Sequence, residues 1–297
     1  MKRCLVLGPN SIIAKHFIRK LKSEGYEVSI LTSCRGANWV YDFDSIQNRI
    51  NEFRPRIVIN FVGTSIDNNY YRCYKINVMV TKNLFDATIS SKYKGKIILI
   101  GSAAEYGIQK KYNENCVEKP RSVYGLTKLM QHSLFQYYVS VYNMDACYIR
   151  IFNVCGTNFG KELFIGNFAQ QIKSILKGDR NEIKLGNLKS YRDYLWIDDI
   201  YTGILKVIKD GKSGEVYNLG MGEAIFLEEF VRKVLLELDL KIKINLKKVN
   251  SRGNIKDLVV ADINKINNIG WFPKYNYECL IKKFCRKIKE EISNKII

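Results

Sequence analysis

Short apolar runs recur along the first half of the chain, and between them apolar residues return every three or four positions. The runs are CLVLG (4–8), EVSILT (27–32), RIVINFVG (56–63), KIILIGS (96–102) and CYIRIFNV (147–154). Their length and near-continuous apolar character predict strands buried on both faces. The stretches between them, such as IIAKHFIRKLKSEG and VMVTKNLFDATISSKYKG, predict amphipathic helices. Regular alternation of the two predicts an α/β protein built on a doubly wound parallel sheet with helices on both faces. Such sheets take ligands at the carboxyl ends of their strands. After about residue 158 helical stretches such as LFIGNFAQQIKSILKG and LEEFVRKVLLELDL dominate. We expect a first domain over 1–160 and a smaller second one over 161–297, with 192–222 returning to the first.

Composition narrows the class. The chain has 297 residues, 46% of them hydrophobic and 26% charged, which suits a globular protein and not a disordered one. Each apolar run is far shorter than the roughly 18–20 residues that a membrane span needs. The first run stops at Gly8-Pro9-Asn10 and reads as a buried strand, not a signal peptide, so no membrane partner and a cytoplasmic location are expected. The eight cysteines form no C-x-x-C pair and there are two histidines, so no metal cluster is expected and the thiols read as reduced packing residues. The net charge of +19 is spread along the chain without a long basic run, so nucleic acid is not expected as a partner. A small phosphate-bearing substrate is compatible with it.

Candidate chemistry begins at LVLGPNSIIAKHF, where a strand turns into a helix. Gly8, Ser11 and Ala14 stand at G-x-x-G-x-x-G spacing, all small. A dinucleotide pyrophosphate needs a tight turn and close approach of backbone N–H groups at a helix start. An ordinary strand–turn–helix would look similar. At the end of the second run, Thr32, Ser33 and Arg35 offer hydroxyls and a guanidinium but no carboxylate. That suits a 2′-phosphate and favours NADPH, with NAD still open. Tyr124 and Lys128 are four residues apart in SVYGLTKLM and share a helix face. A neighbouring ammonium would lower the phenol pKa from about 10 and ready it for proton exchange. Ser102, at the end of the fourth run, can hydrogen-bond a reacting oxygen.

Together, GSAAEYG (101–107), the Tyr124–Lys128 pair, NFVG (60–63), YKINVMVTKNLFDA (74–87), IRIFNVCG (149–156) and RDYLWIDDI (192–200) resemble the extended short-chain dehydrogenase/reductase family. Ile151 replaces a proline of its pattern. The resemblance implies a Rossmann cofactor domain, a C-terminal substrate-binding domain and a nucleotide-diphosphate sugar as substrate. It implies Ser102, Tyr124 and Lys128 as catalytic residues. The implied cofactor set is Gly8, Ser11, Ile12, Ile13, Thr32, Ser33, Arg35, Asp42, Phe61, Val62 and Gly63, with Tyr124 and Lys128. The implied substrate set is Ser102, Ala103, Glu105, Asn153, Arg192 and Arg252, with the two arginines as a diphosphate clamp. Dehydratases of this family carry acids just after the position of Ser102, where this chain has Ala103 and Ala104. The pattern is most similar to the reductases of GDP-4-keto-6-deoxymannose, and implies reduction at C4. A 4-epimerase or 4-dehydrogenase with tightly bound NAD is the alternative, and a non-catalytic dinucleotide sensor a third. Relatives often pair through the helices that here fall at 70–91 and 121–142, so a homodimer is expected.

Overall fold

A computed structural model describes residues 2–32, 41–64, 69–108, 112–246 and 258–293. In chain order the first elements are β1 (Arg3–Leu7), α1 (Ile12–Ser23), β2 (Glu27–Leu31), α2 (Phe43–Phe53), β3 (Ile57–Asn60), α3 (Tyr70–Cys73), α4 (Val80–Ser90), β4 (Lys96–Ser102), α5 (Val123–Tyr142) and β5 (Ala146–Ile151). Then come β6 (Asn153–Cys155), α6 (Phe164–Leu176), β7 (Glu182–Leu185), β8 (Tyr191–Arg192), β9 (Tyr194–Trp196), α7 (Ile197–Asp210) and β10 (Val216–Leu219). The last are β11 (Ile225–Phe226), α8 (Leu227–Glu237), β12 (Lys243–Leu246), β13 (Leu258–Val259), α9 (Asn264–Asn268) and α10 (Tyr277–Ser293).

The chain divides into two compact units. The first comprises Met1–Ile151, Ile200–Leu219 and Asp262–Phe272. Its sheet has the order β10-β5-β4-β3-β1-β2, and every pairing in it is parallel. The central strands are largely apolar because helices pack on them; Leu5, Leu7, Val58, Ile97, Leu99 and Tyr148 meet Ile46, Leu84 and Phe135 in one core. The order reverses between β1 and β3, and such a switch point opens a crevice at the carboxyl ends of the strands.

Local chemistry sets the ends of the helices that matter. Ser11 caps α1, accepting the Ala14 N–H at 3.1 Å. Ser122 caps α5 by accepting the Gly125 N–H at 3.0 Å, and Asn143 ends that helix in the left-handed conformation at φ 50°. The cap at Ser122 puts Tyr124 in the first turn of α5.

Two expected runs are shorter in the structure than in the sequence. The run at 56–63 is strand only to Asn60, because the Asn60 side chain turns back to accept the Val62 N–H at 2.9 Å. The run at 147–154 breaks at Phe152: β5 ends where its partner β4 ends, with Ser102 opposite Ile151, and β6 pairs with β9 in the second unit. The segment returning to the first unit is Ile200–Leu219 with Asp262–Phe272, so 192–199 stay in the second unit. Its strand β10, a short VYNL, was not among the expected runs.

The second unit comprises Phe152–Asp199, Gly220–Ala261 and Pro273–Ile297. Phe168, Phe230 and Phe284 of α6, α8 and α10 pack ring on ring, with centroids 5.8–6.2 Å apart. Asp193, fully buried between β8 and β9, gathers three backbone donors: Met221 N (2.6 Å), Gly222 N (2.9 Å) and Ala261 N (3.1 Å). Burial pushes its carboxyl up to about 6 against those hydrogen bonds. Replacing it leaves the buried Met221 and Ala261 N–H groups and the half-buried Gly222 N–H without this acceptor. Asp193→Ala should therefore lower the unfolding free energy by roughly 3 kcal/mol or more in urea titration, and a loss below about 1 kcal/mol would show that these bonds do not hold the unit together.

Candidate active site

The turn after β1 is dictated by a close approach of backbone to backbone. Gly8 has φ +73°, and a Cβ there would lie 2.6 Å from the Val62 nitrogen. Only glycine lets the turn meet the segment that leaves β3. Beyond it, Lys15 N to Ser11 O (2.9 Å) is the bond that opens α1, so helix geometry leaves the Ile12 and Ile13 amides without an intrahelical acceptor. A glycine-only turn against a helix start fits a dinucleotide pyrophosphate. Thr32 sits half-buried just past β2. Ser33 and Arg35 lie outside the described residues. Asp42 caps α2, its carboxylate accepting the Ser45 N–H at 2.8 Å.

The segment after β3 forms the opposite wall. Phe61 and Val62 are buried and Gly63 is exposed. The Lys128 ammonium lies 3.2 Å, and Asn77 Oδ1 3.5 Å, from where a Gly63 Cβ would stand. Asn77 was not singled out in the sequence. It is fully buried in a π-helical turn (Tyr74–Met79), accepts the Thr64 N–H at 2.9 Å and donates to Thr127 Oγ1 at 2.9 Å. It thereby ties this wall to α5. The available signal was a lone amide inside the apolar run INVMV.

Ser102 closes β4 and caps a short turn, Ala103–Glu105. α5 lies hard against that turn: a Cβ at Gly125 would collide with the Ala104 carbonyl. This contact brings Tyr124 into a hydrogen bond with Ser102. Burial pushes the Tyr124 phenol up to about 12, against the Ser102 bond, with Glu105 adding to the rise. The expected lowering by Lys128 is thus corrected. The Lys128 ammonium donates to the Ile100 carbonyl and to Gln131 Oε1, each at 2.8 Å. Burial lowers Lys128 to about 8, and Glu105 opposes the fall.

The substrate set divides. Ala103 is half-buried beside Ser102. Glu105 is turned inward and fully buried: its oxygens accept Ser102 N (2.7 Å), Tyr148 OH (2.9 Å) and Arg150 Nε (2.8 Å). The expectation that Glu105 meets the substrate is therefore corrected; a carboxylate inserted in a core cannot reach one. Asn153 and Arg192 lie in the second unit, Asn153 donating to the Asp193 carbonyl at 3.2 Å and Arg192 to the Tyr191 carbonyl at 2.7 Å. Arg252 lies outside the described residues.

Residues 4–220 match the model of the NAD dependent epimerase/dehydratase family. Human dTDP-D-glucose 4,6-dehydratase is 24% identical over 326 aligned positions, covering 99% of this chain and 91% of that protein. GDP-6-deoxy-D-mannose reductase of Pseudomonas aeruginosa is 25% identical over 199 positions, covering 63% of this chain and 66% of that protein, so about a third of its length is unmatched. RMD from Pseudomonas aeruginosa, complexed with NADPH, superposes with a TM-score of 0.87 at 20% identity over 98% of this chain and 100% of its own. At that identity the likeness establishes the fold.

Lys128 bears a cost that pH can release. Its folded pKa of about 8 lies below the 10.5 of a free lysine, so between those values the unfolded chain binds more protons. Stability should therefore rise with pH across that window relative to Lys128→Met, which lacks the group. Urea titrations of both proteins at pH 8 and pH 10 measure the difference; identical pH slopes would show that burial does not lower the Lys128 pKa.

Proposed function

Because the chain belongs to the NAD-dependent epimerase/dehydratase family, we propose that it reduces the C4 ketone of a nucleotide-diphosphate 4-keto sugar, GDP-4-keto-6-deoxymannose or a related GDP-4-keto-hexose or heptose. The observation that carries this reading is the turn after Ser102. Ala103 and Ala104 cannot move protons, and Glu105, the acid of that turn, is spent in the core. Dehydration needs placed acid–base groups at two carbons; reduction needs one proton and an oriented ketone. Ser102, Tyr124 and Lys128 supply these.

The nicotinamide cofactor supplies the hydride when bound. Gly8, Ser11, Ile12, Ile13, Thr32, Phe61, Val62, Gly63, Tyr124 and Lys128 would hold it. The lack of a carboxylate from Thr32 to Tyr41 supports NADPH over NADH, since no acid competes with a 2′-phosphate. Ser102 donates to the ketone oxygen and orients it. Tyr124, fully protonated with its phenol near 12, gives its proton to the nascent alkoxide. Lys128 holds a positive charge beside the Gly63 wall until pH rises through about 8. By the family resemblance, Asn153 would contact the sugar diphosphate, and Arg192 with Arg252 would hold its phosphates. Among the described residues no helix is long and apolar enough to cross a membrane. Buried thiols at Cys4, Cys73, Cys147 and Cys155 support a reducing, cytoplasmic setting.

A second copy of the chain is the proposed partner. On α5, Leu126, Tyr137, Val141 and Tyr142 are exposed, and Tyr71 of α3 is 82% exposed. An apolar face of this kind marks an interface. Light scattering at micromolar concentration should give twice the chain mass, and a purely monomeric species would exclude the pairing.

The reaction is tested directly. The purified protein should oxidise NADPH in the presence of GDP-4-keto-6-deoxymannose and prefer it to NADH. It should not remove water from the parent GDP-hexose, as read by mass spectrometry. Tyr124→Phe should lower turnover by about 10²–10⁴-fold and leave NADPH affinity near that of the parent. Water loss without an added dehydratase would refute the reductase reading, and tightly held NAD released on denaturation would favour the epimerase alternative.

A further inference from the structure

We propose that Glu105 is a positioning residue for the reduction: its buried carboxylate holds the turn that carries Ser102 and provides a fixed negative charge that acts on Lys128 and Tyr124.

The geometry begins at Gly101, where any side chain would collide with the Tyr148 ring and stand 2.7 Å from Glu105 Oε1. Without a side chain there, Glu105 folds back under its own turn and accepts the Ser102 N–H, while the Ser102 hydroxyl accepts the Ala104 N–H at 3.2 Å. The reciprocal pair is a capping box, which fixes the turn from both ends. The same carboxylate reaches Lys128 through Tyr148. The Tyr148 hydroxyl lies 2.9 Å from Glu105 Oε1, 3.1 Å from the Lys128 carbonyl and 3.5 Å from Gln131 Oε1, the acceptor of the Lys128 ammonium.

The charges around Glu105 nearly balance. Arg150 donates Nε to Glu105 and Nη2 to Glu118 at 2.5 Å, and stacks over the Tyr106 ring at 4.5 Å. His132 Nδ1 lies 3.1 Å from Arg150 Nη2 and 3.4 Å from Glu118. Burial first and Arg150 second lower His132 to about 4, so it is neutral at pH 7. Tyr106, Tyr124 and Tyr148, all pushed up by burial, are neutral as well. Burial pushes the Glu105 carboxyl up, against Arg150 and the hydrogen bonds from Ser102 and Tyr148, while the Arg150 hydrogen bond, against burial, holds Glu118 down. With both ionised, the two carboxylates offset the Arg150 guanidinium and the Lys128 ammonium. This buried set is neutral only while Lys128 keeps its proton. A nearby anion favours the protonated form of an amine and of a phenol. Proton donation by Tyr124 is what reduction requires; oxidation requires phenolate, which the anion disfavours. Glu105 thus helps hold Tyr124 as the protonated donor that reduction draws on, and to that extent the inference rests on the reductase reading.

The test separates the two. Carbon-13 NMR of the lysine Cε resonances, with the Lys128 signal assigned through Lys128→Met, follows its titration without substrate or cofactor. In the parent it should titrate near pH 8 and in Glu105→Gln about one pH unit lower, with Glu105→Asp close to the parent. The alkaline limb of the kcat/KM profile should move with it, about tenfold in rate per pH unit. An unchanged Lys128 titration in Glu105→Gln would overturn the proposal, however far activity falls. A shifted titration in a protein that reduces no 4-keto sugar would uphold the charge and refute the reductase reading alone. If Glu105→Gln fails to fold by circular dichroism, the Glu105 carboxyl carbon is followed in the parent. An ionised carboxylate from pH 6 to 9 supports the proposal, and a protonated one at pH 7 overturns it.

Discussion

The carboxyl edge of the sheet depends on one helix lying against one turn. α5 meets the Ala104 carbonyl at Gly125, closer than any side chain would permit. From that contact follow the hydrogen bond between Tyr124 and Ser102, the burial that keeps the phenol protonated, and the insertion of Lys128 toward the segment beyond β3. The Ser122 cap sets the start of the helix, and the β4–β5 register sets where the turn begins. A shift of α5 by one residue would carry Tyr124 about 100° around the helix and empty the site.

Placing polar groups under such an edge is costly, because each buried donor and acceptor must find a partner. Here they form one connected set. Asn60 holds the Val62 amide, Thr81 links Asn77 and Gln131, Gln131 holds the Lys128 ammonium, and Glu105 joins Ser102 to Arg150. Both walls of the candidate site and the proposed catalytic positions Ser102, Tyr124 and Lys128 are therefore set by the same network. The lowered pKa of Lys128 shows what the arrangement costs: a charge is kept where burial opposes it. Stability is given up locally for a fixed electrostatic field, the condition under which positioned charges act on a reaction.

Much of this was legible from residue types. Five strands were readable because strands buried on both faces have nowhere to place polar residues, as in KIILIGS. The Tyr124–Lys128 spacing was readable because four residues make one turn of helix. The short β10 was less so, since four residues carry little pattern, and its place beside β5 is a long-range pairing. Asn77 and Gly125 were passed over for a similar reason. A single amide or glycine in a helix gains meaning from what packs against it, Thr64 and Thr127 for one and Ala104 for the other.

The sequence by itself determined the α/β alternation, the glycine turn after β1, and the set of residue types able to move a proton at Tyr124 and Ser102, because these follow from local periodicity and side-chain chemistry. The tertiary structure alone decided what each charge faces. It turned Glu105 inward into a core with Arg150 and aimed the Lys128 ammonium at the Ile100 carbonyl and Gln131. Electrostatic roles depend on distance and burial through space, and those are set by contacts between segments far apart in the chain, such as Glu105 and Arg150, which no local pattern encodes.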